Sequence, residues 1–144
     1  MFQEFHSNDT SQERRGTFVG TVNFIAPEMI KECESTCASD LWALGCIIFK
    51  MFTGKVPFPG MSETQVFPLI LSRKIDWPKG DMDPVVKDLI DKLLQLEPLD
   101  RLGCPMTGHD MKSLMRHPFF EGIHFSSDLS KTTDVRALLA ESEI

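Results

Sequence analysis

The chain is 144 residues long, 42% hydrophobic and 25% charged, a balance that suits one globular domain and excludes a disordered or fibrous sequence. Its net charge of -6 argues against nucleic-acid or anionic-membrane binding, because Arg14, Arg15, Lys112 and Arg116 are too sparse to form the basic patch that either needs. No signal-peptide pattern follows Met1, and the longest apolar run, Leu41 to Phe52, is interrupted by Gly45 and Lys50, so no membrane segment is expected and the expected location is cytoplasmic.

In chain order, Met1 to Arg15 is polar and without pattern, and reads equally as a mobile loop or a frayed terminus. Thr17 to Glu28 carries Gly20 and Pro27 and is expected to be irregular. From Asp40 to Phe52, apolar residues cover most of a helical circumference, which predicts a helix buried on nearly all sides and ended by a left-handed cap at Gly54. Gly54 to Gly60, with Pro57 and Pro59, reads as a loop. Ser62-Glu63-Thr64-Gln65 fits a capping box, and Pro68 predicts a kink or a late start in the helix that follows.

Asp83-Pro84 gives an N-cap with proline at the first helical position, and Val86, Leu89, Ile90, Leu93 and Leu94 recur at helical spacing, predicting a helix over 84–96. A short helix around Asp110 to Arg116 is expected to offer Met111, Leu114 and Met115 to the core. Beyond Phe120 the apolar density falls, leaving Val135, Leu138 and Leu139 for a final turn or a docked tail. No strand or internal repeat is strongly signalled. Cys33, Cys37, Cys46 and Cys104 make no C-x-x-C pair and read as reduced thiols, Cys46 as a small buried hydrophobe.

The most informative run is Gly16-Thr17-Phe18-Val19-Gly20-Thr21-Val22-Asn23-Phe24-Ile25-Ala26-Pro27-Glu28. It resembles the end of a protein-kinase activation segment, which closes on Ala-Pro-Glu. The resemblance continues in order through Ser39-Asp40-Leu41-Trp42-Ala43-Leu44-Gly45-Cys46, Pro57-Phe58, Asp100-Arg101-Leu102-Gly103-Cys104 and His117-Pro118-Phe119-Phe120. Leu102-Gly103 after the arginine is the pattern of the AGC group, and within it the chain looks most like the phosphoinositide-dependent kinases.

The resemblance implies a mainly α fold, the lower part of the helical C-lobe without the β-rich N-lobe. It divides the chain into a partial kinase domain over 1–120 and a C-terminal tail over 121–144. It implies a buried ion pair between Glu28 and Arg101 fastening the segment of Ala26 and Pro27 to the helical core. Arginine suits this because its planar fork grips a carboxylate with two hydrogen bonds. Asp40 reads as a helix-dipole carboxylate or, by resemblance, as an acceptor for a catalytic loop that is missing here. Leu41 and Trp42 are then expected to face that missing loop and stand exposed.

Thr17 matches the activation-loop phosphosite, or is a solvated loop threonine. Gly20, Thr21, Val22, Asn23 and Phe24 match the wall that receives the substrate, with Thr21 favouring Ser/Thr over Tyr and Asn23 replacing a common glutamate. His117 reads as a structural histidine over an aromatic plug, since no serine or cysteine stands in a nucleophile context.

Phosphoryl transfer requires a Gly-rich loop, a strand lysine paired with a helix glutamate, a catalytic aspartate and asparagine, and a metal-holding aspartate. None of these is found, so no catalytic residue and no metal ligand is assigned. ATP and Mg2+ are implied for a complete kinase, and this chain alone is expected to bind neither. Two functions stay open: part of a Ser/Thr kinase, acting on protein substrates that include other AGC kinases once the N-lobe and catalytic loop are supplied, or a catalytically empty protein-binding module.

Overall fold

The structure is a computed structural model that describes residues 22–105 and 110–125. Among these residues there are five α-helices and no strand: α1 Pro27–Lys31, α2 Cys37–Thr53, α3 Glu63–Leu71, α4 Pro84–Leu93 and α5 Met111–Met115. Single 3-10 turns stand at Val22–Phe24, Pro98–Asp100 and Pro118–Phe120. This agrees with the helical-lobe expectation.

The longest helix, α2, is the axis of the fold. It begins at Cys37, one turn earlier than its apolar pattern suggests, because the Thr36 amide donates to Ser39 Oγ at 3.1 Å and closes the helix start. It ends at Gly54, whose φ of 71° is the left-handed conformation that glycine adopts without a Cβ clash. It is not buried all round. Leu41, Trp42, Cys46, Ile48 and Phe49 face the core, whereas Asp40, Ile47, Met51 and Phe52 are exposed. The expected exposure of Leu41 and Trp42 is therefore corrected: they are 5% and 0% exposed, and the open apolar surface lies on Ile47, Met51 and Phe52.

Trp42 stacks on Phe58 with centroids 5.4 Å apart and planes within 6° of parallel. Val66 and Ile70 of α3 and Leu89, Ile90 and Leu93 of α4 complete the core. Full burial of each such side chain contributes roughly 1.5–3 kcal/mol. Helix α4 lies close on α2 at Gly45, where a Cβ would come within 2.8 Å of Leu94 Cδ2.

Helix α3 departs from expectation in two ways. Ser62 is the N-cap, but its hydroxyl pairs with Thr64 Oγ1 at 2.9 Å, and Gln65 Oε1 instead accepts the Met61 amide at 2.9 Å. The helix also starts on time at Glu63 and runs through Pro68 to Leu71. Pro68 falls at the sixth helical position, so a single internal hydrogen bond is lost and the helix ends within a turn of it.

In α4, Asp83 Oδ1 accepts the Val85 amide at 2.7 Å and the Val86 amide at 3.4 Å, as its N-cap position predicts. The helix stops at Leu93 and not Leu96. Arg73 reaches the Leu94 carbonyl and, at 3.0 Å, the Asp91 carbonyl, satisfying the end of the helix from outside. Helix α5 seats only Leu114 in the core, while Met111 and Met115 are 50% and 37% exposed, because five residues present one turn and so one inward position. Val135, Leu138 and Leu139 lie outside the described residues.

Candidate functional site

The most extensively hydrogen-bonded side-chain constellation among the described residues is a buried clasp. Ala26 and Pro27 are buried and open α1, with Pro27 at its first position, where a missing N–H costs nothing. This places Glu28 on the inner side of the first turn. Its Oε1 accepts from Arg101 Nη1 and its Oε2 from Arg101 Nη2, both at 2.7 Å, across 73 residues of sequence. The arginine side chain is fully buried and that of Glu28 is 8% exposed.

The remaining guanidinium protons are also satisfied. Nε donates to the Gln95 carbonyl at 2.8 Å, Nη1 to the Ala38 carbonyl at 2.7 Å, and Nη2 to the Leu96 carbonyl at 3.3 Å. The guanidinium carbon lies 5.2 Å from the centroid of the Trp42 ring, within cation–π range. Ser39 Oγ donates to Glu28 Oε1 at 2.7 Å, so the residue that closes the start of α2 also holds the clasp. A charge this deep is tolerable only when partnered in this way. Burial pushes the Glu28 carboxyl upward, but the hydrogen bonds from Arg101 and Ser39 and the arginine charge outweigh it and leave the group below its ordinary value.

Of the other residues singled out in sequence, Thr17, Gly20 and Thr21 lie outside the described residues. Val22 and Asn23 are buried, and Asn23 Nδ2 donates to the Phe58 carbonyl at 2.8 Å, tying the strip before Ala26 to the loop under Trp42. Phe24 is half-buried, packs against the core and has Lys50 Nζ 5.9 Å from its ring centroid. Asp40 is exposed in the first turns of α2, apart from the Glu28–Arg101 clasp. Trp42 Nε1 is buried without a hydrogen-bond partner among the described residues.

Three participants had no role assigned from sequence. Ser39 carried a signal, because Thr36 and Ser39 have the spacing of a reciprocal cap. The Phe58 carbonyl and Asp88 carried none. Asp88 Oδ2 sits 2.8 Å from His117 Nε2 and 2.6 Å from Lys92 Nζ, while His117 Nδ1 accepts the Phe119 amide, so this histidine is a tether between α4 and the aromatic turn. Lys92 first, then His117, hold the Asp88 carboxyl below its ordinary value.

A cavity of about 210 Å³ opens beside the clasp, between Glu28, Glu32, Glu34, Cys37, Pro98 and Cys104. It does not suit a nucleotide. Its acidic rim would repel a triphosphate, and no group of three or more His, Cys, Asp or Glu side chains converges for a metal among the described residues. This cavity thus does not fit a nucleotide with its metal. No helix among them is long and apolar enough to cross a membrane.

The geometry of the clasp can be set beside known proteins. Residues 4–120 match the family model of the protein kinase domain. The chain is 45% identical over 114 residues to the probable serine/threonine-protein kinase pdkA of Dictyostelium discoideum, covering 79% of this chain and 16% of that protein. It is 38% identical over 125 residues to 3-phosphoinositide-dependent protein kinase 1 of Arabidopsis thaliana, covering 87% and 25%, and 40% identical over 118 residues to the human protein of that name, covering 81% and 21%. It therefore spans a quarter or less of the length of each of these relatives. With the matched segment extending over most of the chain, from before the clasp glutamate to the aromatic turn behind α5, the chain belongs to the protein kinase domain family, with AGC-group kinases among its relatives.

Proposed function

We propose that this chain is the lower helical-lobe portion of a serine/threonine protein kinase, which in its complete form transfers the γ-phosphate of ATP to protein Ser or Thr hydroxyls. The observation that carries this reading is the Glu28–Arg101 clasp: a fully buried, five-bonded arginine fixes the Ala26–Pro27–Glu28 segment, so the strip just before it has a rigid floor on which to hold a substrate. Intact members of the family use ATP and Mg2+, which the missing upper elements would bind. In the complete enzyme Thr17 is the activation-loop phosphosite, and Gly20, Thr21, Val22, Asn23 and Phe24 form the substrate wall. Substrates are proteins, other AGC kinases among them, met in the cytoplasm.

A chimera tests this. The upper part of the Dictyostelium relative, through its Asp-Phe-Gly, is joined to residues 1–144 and assayed for transfer of labelled phosphate to a Ser/Thr peptide. Transfer is expected, and its loss in the Thr21→Ala chimera would place the wall. A folded chimera without transfer would overturn the reading. It would favour the second one, a binding module without chemistry, for which the exposed Ile47, Met51 and Phe52 offer an apolar surface.

A further inference from the structure

The Val22–Phe24 turn packs against α2 and α3 and carries no charge of its own. The charged residues of those two helices are few: Asp40 and Lys50 on α2, and Glu63 on α3. Asp40 stands about 15 Å from Lys50 along the helix axis, at the other end of α2. Lys50 is exposed, and its Nζ lies 5.9 Å from the centroid of the Phe24 ring, which places an ammonium over the last residue of the turn.

The surroundings keep that charge available. Lys50 lies in the last turn of α2, where the negative end of the helix dipole favours a cation. Its neighbours one turn away on the same face, Cys46, Ile47, Thr53 and Gly54, are uncharged. Among the described residues it enters no ion pair, whereas Arg73, Lys92 and Arg101 each hold a carboxylate. Asn23 brings no carboxylate to compete, and its amide is already spent on the Phe58 carbonyl. The contact with Phe24 is a cation–π one, weak at an exposed site, so the ammonium can turn to an anion without breaking a stronger bond.

We propose that Lys50 is a specificity-determining residue that receives an Asp or Glu side chain of the protein substrate, close in sequence to the hydroxyl that accepts phosphate. This rests on the reading of Gly20 to Phe24 as the substrate wall. A substrate lying along that wall passes Phe24, where an acidic side chain meets the ammonium and a basic one meets like charge. The pairing is the same in the bound substrate and in the transition state, so it acts on KM and not on kcat. An exposed ion pair of this kind is worth about two- to fivefold in kcat/KM, and less in high salt.

The test uses the chimera of the Dictyostelium upper part with residues 1–144, and Ser peptides in which Asp, Ala or Lys is walked through the flanking positions. At one position Asp should exceed Ala by about two- to fivefold in kcat/KM, through KM, and Lys should fall below it. Lys50→Gln should bring Asp and Lys to parity there, and Lys50→Glu should invert their order. Lys87→Gln is the control, because Lys87 is also an exposed lysine over a ring, with Nζ 5.3 Å from the Trp77 centroid, but on α4; the native order should persist. Transfer without preference at any position, a preference for Asp that survives Lys50→Glu, or an effect confined to kcat would each overturn the proposal and leave the kinase reading standing. A folded chimera that transfers to none of the peptides would overturn both.

Discussion

Two arginines fasten this fold, and they differ in almost everything except their chemistry. Arg101 sits with no exposed surface, grips Glu28 with both ends of its fork and reaches three carbonyls besides. Arg73 likewise meets a carboxylate, Asp91 Oδ1 at 2.6 Å, and two carbonyls, but its side chain is 28% exposed and that of Asp91 is 52% exposed. Water can replace most of what Arg73 supplies. If Arg101 is taken away, the Glu28 carboxylate loses its charged partner and keeps the Ser39 hydroxyl as its side-chain donor. The lesson is that a bond count does not measure the worth of an ion pair; what its partner would be left with does.

The largest expected effect follows directly. Arg101→Ala should cost about 3–5 kcal/mol in chemical denaturation, because it strands a buried carboxylate. Acid sharpens the test. In the native protein Glu28 lies below its ordinary value of 4.5, so its contribution is present above that value and lost as pH falls through the lowered one. In Arg101→Ala the burial that pushes the carboxyl up acts with its chief opposing partner gone, so protonation favours the folded variant. The gap between the two proteins should narrow as pH falls toward 4. A gap independent of pH would mean that the loss is one of packing and not of charge.

Next in size is Gly45→Ala. The added methyl would meet Leu94 Cδ2 at 2.8 Å and Leu93 Cβ at 3.0 Å, and both belong to the packed seam of α2 with the end of α4. A cost of roughly 1–3 kcal/mol is expected. Because Arg73 holds the carbonyl of Leu94, this substitution also tests how firmly the exposed arginine pins that end. A neutral result would show that the end of α4 yields. Arg73→Ala itself should cost at most about 1 kcal/mol and less in high salt, which separates it from Arg101→Ala in kind as well as size. The positive φ of 52° at this position is carried by alanine as much as by arginine, so backbone strain cancels from the comparison.

The same contrast between local and non-local information explains what was legible in the sequence. Caps were: Asp83-Pro84 and Gly54 act where they were placed, because each works on a backbone group within a few residues, whereas Asp110, expected only as one end of a short helix, proves to be its N-cap. The clasp came from resemblance alone, for nothing local to Glu28 or Arg101 tells of a partner 73 residues away. His117–Asp88 and Asn23–Phe58 went unseen for the same reason. The faces of α2 were misjudged because apolar residues occupy most of its circumference, and pattern then cannot say which side is covered. Asp40 held the missing clue. Asp40, Leu44, Ile47 and Met51 share one side of the helix, and the charge marks it as the open one.

That side gives the smallest predicted effect and the finest test of the contrast within one helix. Met51 is 76% exposed, and glutamine has nearly the same length and helix propensity, so Met51→Gln removes apolar character while changing neither shape nor backbone preference. Stability should stay within about 0.5 kcal/mol of the native chain. The association of the protein is a second readout: an open face of Ile47, Met51 and Phe52, with Phe52 leaning edge-on against Phe119 at 5.9 Å, should promote self-contact at high concentration, and the variant should shift sedimentation toward the monomer. A loss of more than about 1 kcal/mol at unchanged oligomeric state would mean that Met51 is covered by the chain itself. The division of α2 into a buried Trp42 side and an open Met51 side would then have to be redrawn.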